Sequence, residues 1–162
     1  MQSAVAIIKD EHRSMAAVIR GMLMNVAAIR SGAMEHDAYL FAAMFDYIET
    51  FPDRLHHPKE DEYLFRYLRQ RSAASHAILD ELQAEHASGA DLLGQIRACL
   101  ARYRQDHDLD AFESALRAYA DFYLAHMAKE EKVVLPMATE HLTTQDWEAI
   151  NAAFQASRDR AW

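Results

Sequence analysis

Apolar side chains recur with a 3.6-residue period along almost the whole chain, so helix is the element the pattern predicts throughout. A first stripe, Val5, Ile8, Met15, Ile19, Met22, Val26 and Ile29, predicts a helix from about Ser3 to Ser31, ended by Gly32. A second, on Leu40, Met44, Tyr47, Phe51, Leu64 and Tyr67, runs from about His36 to Arg71. Pro52 and Pro58 fall inside it. Each removes a backbone donor and disfavours helix at the residue before it, which predicts a break or kink between them. The third stripe, from about Ser75 to Tyr103, carries Leu79, Leu82, Ala90, Leu93, Ile96 and Leu100. The fourth follows the RQDHDLD turn with Phe112, Leu116, Tyr119, Phe122, Val133 and Met137. HLTTQDWEAINAAF then predicts a short helix capped by Thr143 or Thr144, using Trp147, Ile150 and Phe154 to cover one side. Short connections between long amphipathic helices predict an all-α fold: an up-down-up-down four-helix bundle over about 3–140, with a short C-terminal fifth helix at about 143–157. A single domain, 1–162, accommodates all of it.

Composition agrees and narrows the partners. Four glycines and three prolines in 162 residues, among abundant Ala, Leu, Met, Glu, Gln and Arg, favour helix, and no β-branched run competes. The net charge of −8, from 25 acidic and 17 basic residues, argues against nucleic acid or an anionic membrane as a partner and favours cations. The lone Cys99 rules out an intrachain disulfide and reads as a small buried hydrophobe in a reducing compartment. MQSAVAIIKDEHRS lacks the basic lead and apolar run of a secretory signal, and no unbroken apolar segment is long enough to span a bilayer, so the expected location is the cytoplasm.

What the period does not explain is a set of polar residues on the core stripes: His12 on the first, His56 with Glu60 on the second, His86 on the third, and His126 with Glu130 on the fourth. A lone histidine on an apolar face is more often a hydrogen-bonded core residue than a ligand, and HxxxE is a common helical side-chain pair. Four helices with the same misplacement, two of them with a glutamate one turn on, leave that explanation weak. A buried carboxylate without a partner costs several kcal/mol, so Glu60 and Glu130 require cations or protons beside them. Imidazoles and carboxylates converging in a bundle point to a metal site. Around a regular helix Glu60 lies about 40° from His56 and His57 about 100°, so Glu60 falls between the two histidines and could serve two metal ions at once. His57 is then either a further ligand or a solvent-facing neighbour of one. On the fourth helix Glu130 shares the face of His126, whereas Glu131 lies about 140° away and reads, with Lys129, as solvated surface. Asp10, Glu11, Asp61 and Glu62 are either outer acceptors for ligand N–H groups or surface charges. His36, His76, His107 and His141 stand near helix ends, where capping or solvation accounts for them.

These residues resemble the hemerythrin-like, or HHE cation-binding, family: an early EH on the first helix, HHPKEDEYLF on the second, the EH of LQAEHASGADLL on the third, and HMAKEEKVVLPMA on the fourth, over about residues 5–140. The resemblance implies a bundle holding two non-haem iron ions joined by two carboxylates and an oxo or hydroxo group. Its ligands would be His12, His56, Glu60, His86, His126 and Glu130. Oxygen-carrying members place two histidines a turn apart on the third helix; here Leu82 and Ala90 occupy the positions one turn from His86. His57 could supply the missing ligand, which predicts one iron on His12 and His56 and the other on His57, His86 and His126, with Glu60 and Glu130 bridging. The fourth-helix spacing is HxxxE rather than the HxxxxD of the oxygen carriers, and both departures weigh against reversible oxygen carriage.

Imidazole and carboxylate donors without thiolates suit iron, manganese or zinc and argue against a structural zinc cage or an iron–sulfur cluster. Met15, Ile19, Leu64, Leu93 and Val133 are expected to keep the site dry enough for a diatomic. Three readings follow: a protein that binds or senses O2, NO, peroxide or iron; a diiron enzyme of peroxidase, catalase-like or oxidase type, with Tyr63, Tyr67, Tyr119 or Tyr123 relaying electrons; or a metal-free partner-binding domain. The segment beyond residue 140 either seals the bundle or forms a homo-oligomer contact.

Overall fold

In a computed structural model, which describes residues 2–158, the chain is all-helical, with five helices and no strand among the described residues. Helix α1 (Ala4–Arg30) starts where the Ser3 hydroxyl accepts the Ala6 N–H, and it ends before Gly32, whose φ of 79° turns the chain out of the helix at no steric cost. Helix α2 (38–71) starts at Asp37, which accepts the Leu40 N–H. Helix α3 (His76–Asp106) follows a 3-10 turn, Ala73–Ser75, and ends at His107 in the left-handed conformation, φ 54°. Helix α4 (109–141) is capped by Asp108. Helix α5 (Thr144–Arg158) opens on a reciprocal cap: the Thr143 hydroxyl accepts the Asp146 N–H and the Asp146 carboxylate accepts the Thr143 N–H, which selects Thr143 of the two threonines.

The break expected between the two prolines does not occur. Helix α2 runs through Pro52 and Pro58 by switching winding: α-helical over Ala38–Ile48, π-helical over Glu49–His56, α-helical over His57–Lys59, π-helical again over Glu60–Phe65, and α-helical over Arg66–Arg71. A proline cannot donate to the carbonyl four residues back and its ring collides with that group; a wider turn relieves the collision without ending the helix. Helix α4 does the same over Glu130–Val134, between Leu109–Lys129 and Leu135–His141. The π-turns change which side chains point inward, and His56, His57 and Glu60 are all buried.

Helix α1 packs on α2 and α4, α3 packs on α2 and α4, and α5 lies over α1 and the second half of α2. Two apolar cores result. One joins Met15, Ile19, Phe41, Phe45, Leu93, Phe112, Leu116 and Tyr123; the other joins Ile8, Leu64, Phe65, Leu82, Val134, Ile150 and Phe154. Along α1 and α3 the chain passes from the second core to the first, and along α2 and α4 from the first to the second. In each helix a polar residue sits at the crossing.

Phe112 is fully buried, edge-on to Phe41 at 5.0 Å and stacked on Tyr103 at 5.3 Å. Phe112→Ala should lower the unfolding free energy of metal-free protein by roughly 3–5 kcal/mol in a urea titration. Because this residue belongs to the core away from the polar layer, the metal content of the folded variant should not change.

Candidate metal centre

The polar residues at the crossings converge in one layer between the two cores. Glu60 reaches His56 Nε2 at 3.0 Å and His12 Nε2 at 3.7 Å with Oε1, and His86 Nε2 at 3.5 Å with Oε2. Glu130 reaches His12 Nε2 at 3.1 Å with Oε2, and His126 Nε2 at 3.0 Å and His86 Nε2 at 3.4 Å with Oε1. Each carboxylate therefore turns one oxygen toward the α1–α2 histidines and the other toward the α3–α4 histidines. Ligating atoms cluster closely enough to hold an ion in His12, His56, Glu60 and Glu130, in Glu60, His86, His126 and Glu130, and in His57, His86 and His126. All seven residues singled out in the sequence lie in this layer. None of the four glutamate oxygens, nor His86 Nε2 or His126 Nε2, makes a hydrogen bond, although all are buried. Buried polar atoms are nearly always paired, so six orphans at one spot fit a site for cations.

The outward nitrogens are paired. His12 Nδ1 meets Glu131 at 2.9 Å, His56 Nδ1 meets Glu11 at 2.5 Å, His86 Nδ1 meets Asp61 at 3.0 Å, and His126 Nδ1 meets Glu85 at 2.7 Å. A carboxylate at Nδ1 makes that nitrogen the donor and leaves the Nε2 lone pair facing the glutamates, the tautomer a metal ligand needs. Each of these carboxylates stands next in sequence to a residue of the layer on its own helix, yet serves a histidine on another: α1 supports α2, α2 supports α3, α3 supports α4, and α4 supports α1.

Several expectations change here. Glu131 is not merely solvated surface, since it orients His12; Lys129 is held by Glu85 and by Glu81, the latter at 2.5 Å. Glu11 and Asp61 are the outer acceptors, while Asp10 pairs with Arg13. Glu85 escaped sequence reasoning, although the EH doublet it forms with His86 repeats that of Glu11 and His12. Val133, expected beside the site, is exposed, whereas Met15, Ile19, Leu64 and Leu93 are buried as expected. Cys99, expected to be buried, is half-buried and packs against the core that holds Met15, Phe41 and Phe112. The helix-end histidines stay there: His36 meets the Tyr103 hydroxyl and stacks on His107, and His76 donates to the Arg69 carbonyl.

His57 differs from the other four histidines. Its Nδ1 is 3.5 Å from Asp53 and its Nε2 is 3.3 Å from the Tyr123 hydroxyl, which itself donates to Asp53 at 3.1 Å. Its ring stacks on His86, centroids 4.3 Å apart. Asp53, too, escaped sequence reasoning. Tyr123 has the satisfied hydroxyl expected of a core tyrosine, but the Tyr119 hydroxyl is buried without a partner.

The profile of the hemerythrin HHE cation-binding domain matches residues 3–138. The chain belongs to the hemerythrin HHE family. Comparison with curated proteins and with solved structures gives no match. In this HHE chain the His and Glu clusters fit the cations for which the family is described.

Electrostatics describe what the layer does without metal. Burial opposes charge on His12, His56, His86 and His126, but the glutamates, and for His86 also Asp61, outweigh it and lift all four above the ordinary imidazole value, His86 to about 12. Burial, joined at Glu130 by the charge of Glu60, works to raise the two carboxyls, yet the imidazoles hold both below their ordinary range. His57, buried beside His86 and His56, is pushed down to about 2 and stays neutral. Protons on four histidines thus neutralise the buried carboxylates. Their contribution to stability is complete below the ordinary value of 6.5 and is lost as pH rises through the raised folded values.

Metal ions and protons compete for the same Nε2 atoms, so metal binding should release protons and weaken as pH falls. Calorimetric titration of metal-free protein with Fe(II) or Zn(II), in two buffers of different protonation enthalpy, should read a net proton release at pH 7; buffer-independent heats would contradict it. Glu85→Ala, which leaves His126 Nδ1 without its acceptor, should lower metal affinity by roughly 10–100-fold in a competition assay against a chelator.

Proposed function

We propose that this HHE chain is a single-domain, up-down-up-down four-helix bundle that holds two non-haem iron ions and uses them to bind or sense a small molecule, O2, NO or peroxide, or iron itself. The alternating passage of successive helices between the two cores supports the bundle topology. One observation carries the metal reading: Glu60 and Glu130, buried and without hydrogen bonds, each turn one oxygen to either side of the layer. The first iron would be held by His12 and His56 and the second by His57, His86 and His126, with Glu60 and Glu130 available to both. Bound iron would supply an open coordination position and accessible redox states. The chain's own contribution is to fix four imidazoles in one tautomer, exclude water between two apolar cores, and neutralise the site's charge. Donor chemistry of nitrogen and carboxylate oxygen, with Cys99 outside the layer, favours iron over a thiolate-bound metal.

A diiron enzyme of peroxidase, catalase-like or oxidase type is the second reading. The Tyr119 and Tyr123 rings, 5.3 Å apart and in line with His57, favour it, because they could pass electrons to the centre. The metal-free partner-binding reading leaves Glu60 and Glu130 neutralised by protons alone. No described helix is long and apolar enough to cross a membrane, and the acidic chain suits the cytoplasm as an expected location.

Metal analysis with optical spectra of anaerobic, aerated and peroxide-treated protein distinguishes the readings. Two irons per chain and a stable ligand-dependent charge-transfer band support binding; rapid peroxide loss with oxygen release supports the enzyme; carefully purified protein that takes up no metal sinks both. His57→Ala should lower the iron content from two to about one per chain, since the second iron loses one of its three imidazoles. Full binding of both irons by that variant would remove His57 from the ligand set.

A further inference from the structure

A cavity of about 370 Å3 opens between α2 and α3, lined by Glu49, Asp53, Arg54, Leu93, Gly94 and Arg97. Asp53 is also the residue that holds both the Tyr123 hydroxyl and the His57 ring. Asp53 thus connects the cavity, which neither His57 nor Tyr123 lines, to His57 of the layer. From the geometry we infer that this cavity is the entrance for the small molecule, that the Asp53 carboxylate, held by the Tyr123 hydroxyl, is the gate between the cavity and His57, and that the molecule admitted is a small uncharged hydrogen-bonding one of the hydrogen peroxide class. The inference rests on the metal reading above and extends it to a route and a ligand class.

Three observations carry it. The mouth is polar but internally balanced: Glu49 pairs with Arg54 at 2.9 Å and with Arg97 at 3.0 Å, and Arg97 also meets Asp46 at 2.8 Å, so no excess charge draws in an ion. The wall from α3 is low. A Cβ built on Gly94 meets nothing within 4 Å, so this position faces open space. The cavity wall offers an acceptor, Asp53, and behind it stands the Tyr123 hydroxyl that donates to it; peroxide can donate to the carboxylate and accept from the hydroxyl, whereas an apolar diatomic gains nothing from them. A second groove, about 430 Å3 and lined by His12, Arg13, Arg20 and Glu131, lies on the α1–α4 side. It reaches the outward edge of His12, where Glu131 closes Nδ1, and so stops outside the ring of carboxylates.

Three variants test the route. Gly94→Leu puts a bulky side chain into the cavity from a position where a Cβ meets no neighbour, Tyr123→Phe removes the hydroxyl and keeps the ring, and Ala128→Leu narrows the opposite groove as a control. In metal-free protein, solvent exchange of the His57 ring N–H, followed by nitrogen-edited NMR, should slow at least about tenfold in Gly94→Leu and stay unchanged in Ala128→Leu. Tyr123→Phe should move the ring nitrogen shifts of His57 while leaving those of His12 and His56 in place. With iron bound, Gly94→Leu should slow the optical change on mixing with hydrogen peroxide by a similar factor at unchanged iron content. Unaltered His57 exchange in Gly94→Leu overturns the route; slowed exchange with an unaltered peroxide rate overturns the ligand class; slowing in Ala128→Leu instead transfers the entrance to the other groove and overturns the proposal. The NMR arm needs no iron, so a wild-type protein that binds none refutes the metal reading and leaves the route to be decided by itself.

Discussion

Two carboxylates that water cannot reach are the constraint on which this structure depends. Glu60 and Glu130 are almost completely enclosed, and the groups that face their oxygens are the imidazoles of the layer. Left alone, such groups would cost more than a small domain's whole margin of stability. Everything around them supplies positive charge or keeps it in position: four imidazoles of the layer that hold protons, a carboxylate behind each of the four, and apolar packing on both sides that prevents water from relieving the demand. The same constraint explains why the layer sits where all four long helices cross from one core to the other. Only there can side chains from every helix meet.

How the chain places these groups is partly written in its periodicity. The stripes on α1 and α3 are regular, and His12 and His86 could be assigned to the interior by counting. The second helix resists counting. Pro52 and Pro58 signal interruption, and regular winding sets His57 a quarter turn from His56; the π-turns at Glu49–His56 and Glu60–Phe65 absorb the prolines and bring both histidines inward. Winding of this kind depends on packing that no local pattern encodes. The partners of the imidazoles were equally hard to read. Glu11 stands beside His12 yet serves His56, and Glu85 stands beside His86 yet serves His126, so neighbours in sequence mislead until the helices are assembled. Glu131, which local geometry placed outside, reaches inward because the helix beside it presents His12 at the right height.

The C-terminal helix completes the enclosure. Phe154 is fully buried, lies edge-on to His56 at 6.3 Å and carries the Lys59 ammonium over its face at 4.6 Å. Lys59 in turn approaches Glu11 at 3.8 Å, the acceptor of His56. Burial holds the Lys59 amine below its ordinary value, while Glu11 and Glu60 keep the shift from growing larger. Arg71 clasps Asp146 in the cap of this helix, and Asn151 accepts the Ala4 N–H at the start of α1. The C-terminal helix is thus tied to the start of α1 and to the end of α2, over the core that holds Ile8 and Leu68.

The pairs Glu11–His56, Asp61–His86, Glu85–His126 and Glu131–His12 close a circle in which every long helix gives one link and receives one. A helix that slid by a single turn would move about 5.4 Å and break both of its links at once. The circle therefore acts as a register lock. Loosening any one helix unfastens its two neighbours, which makes partial assembly costly and couples the placement of the imidazoles to the docking of the whole bundle.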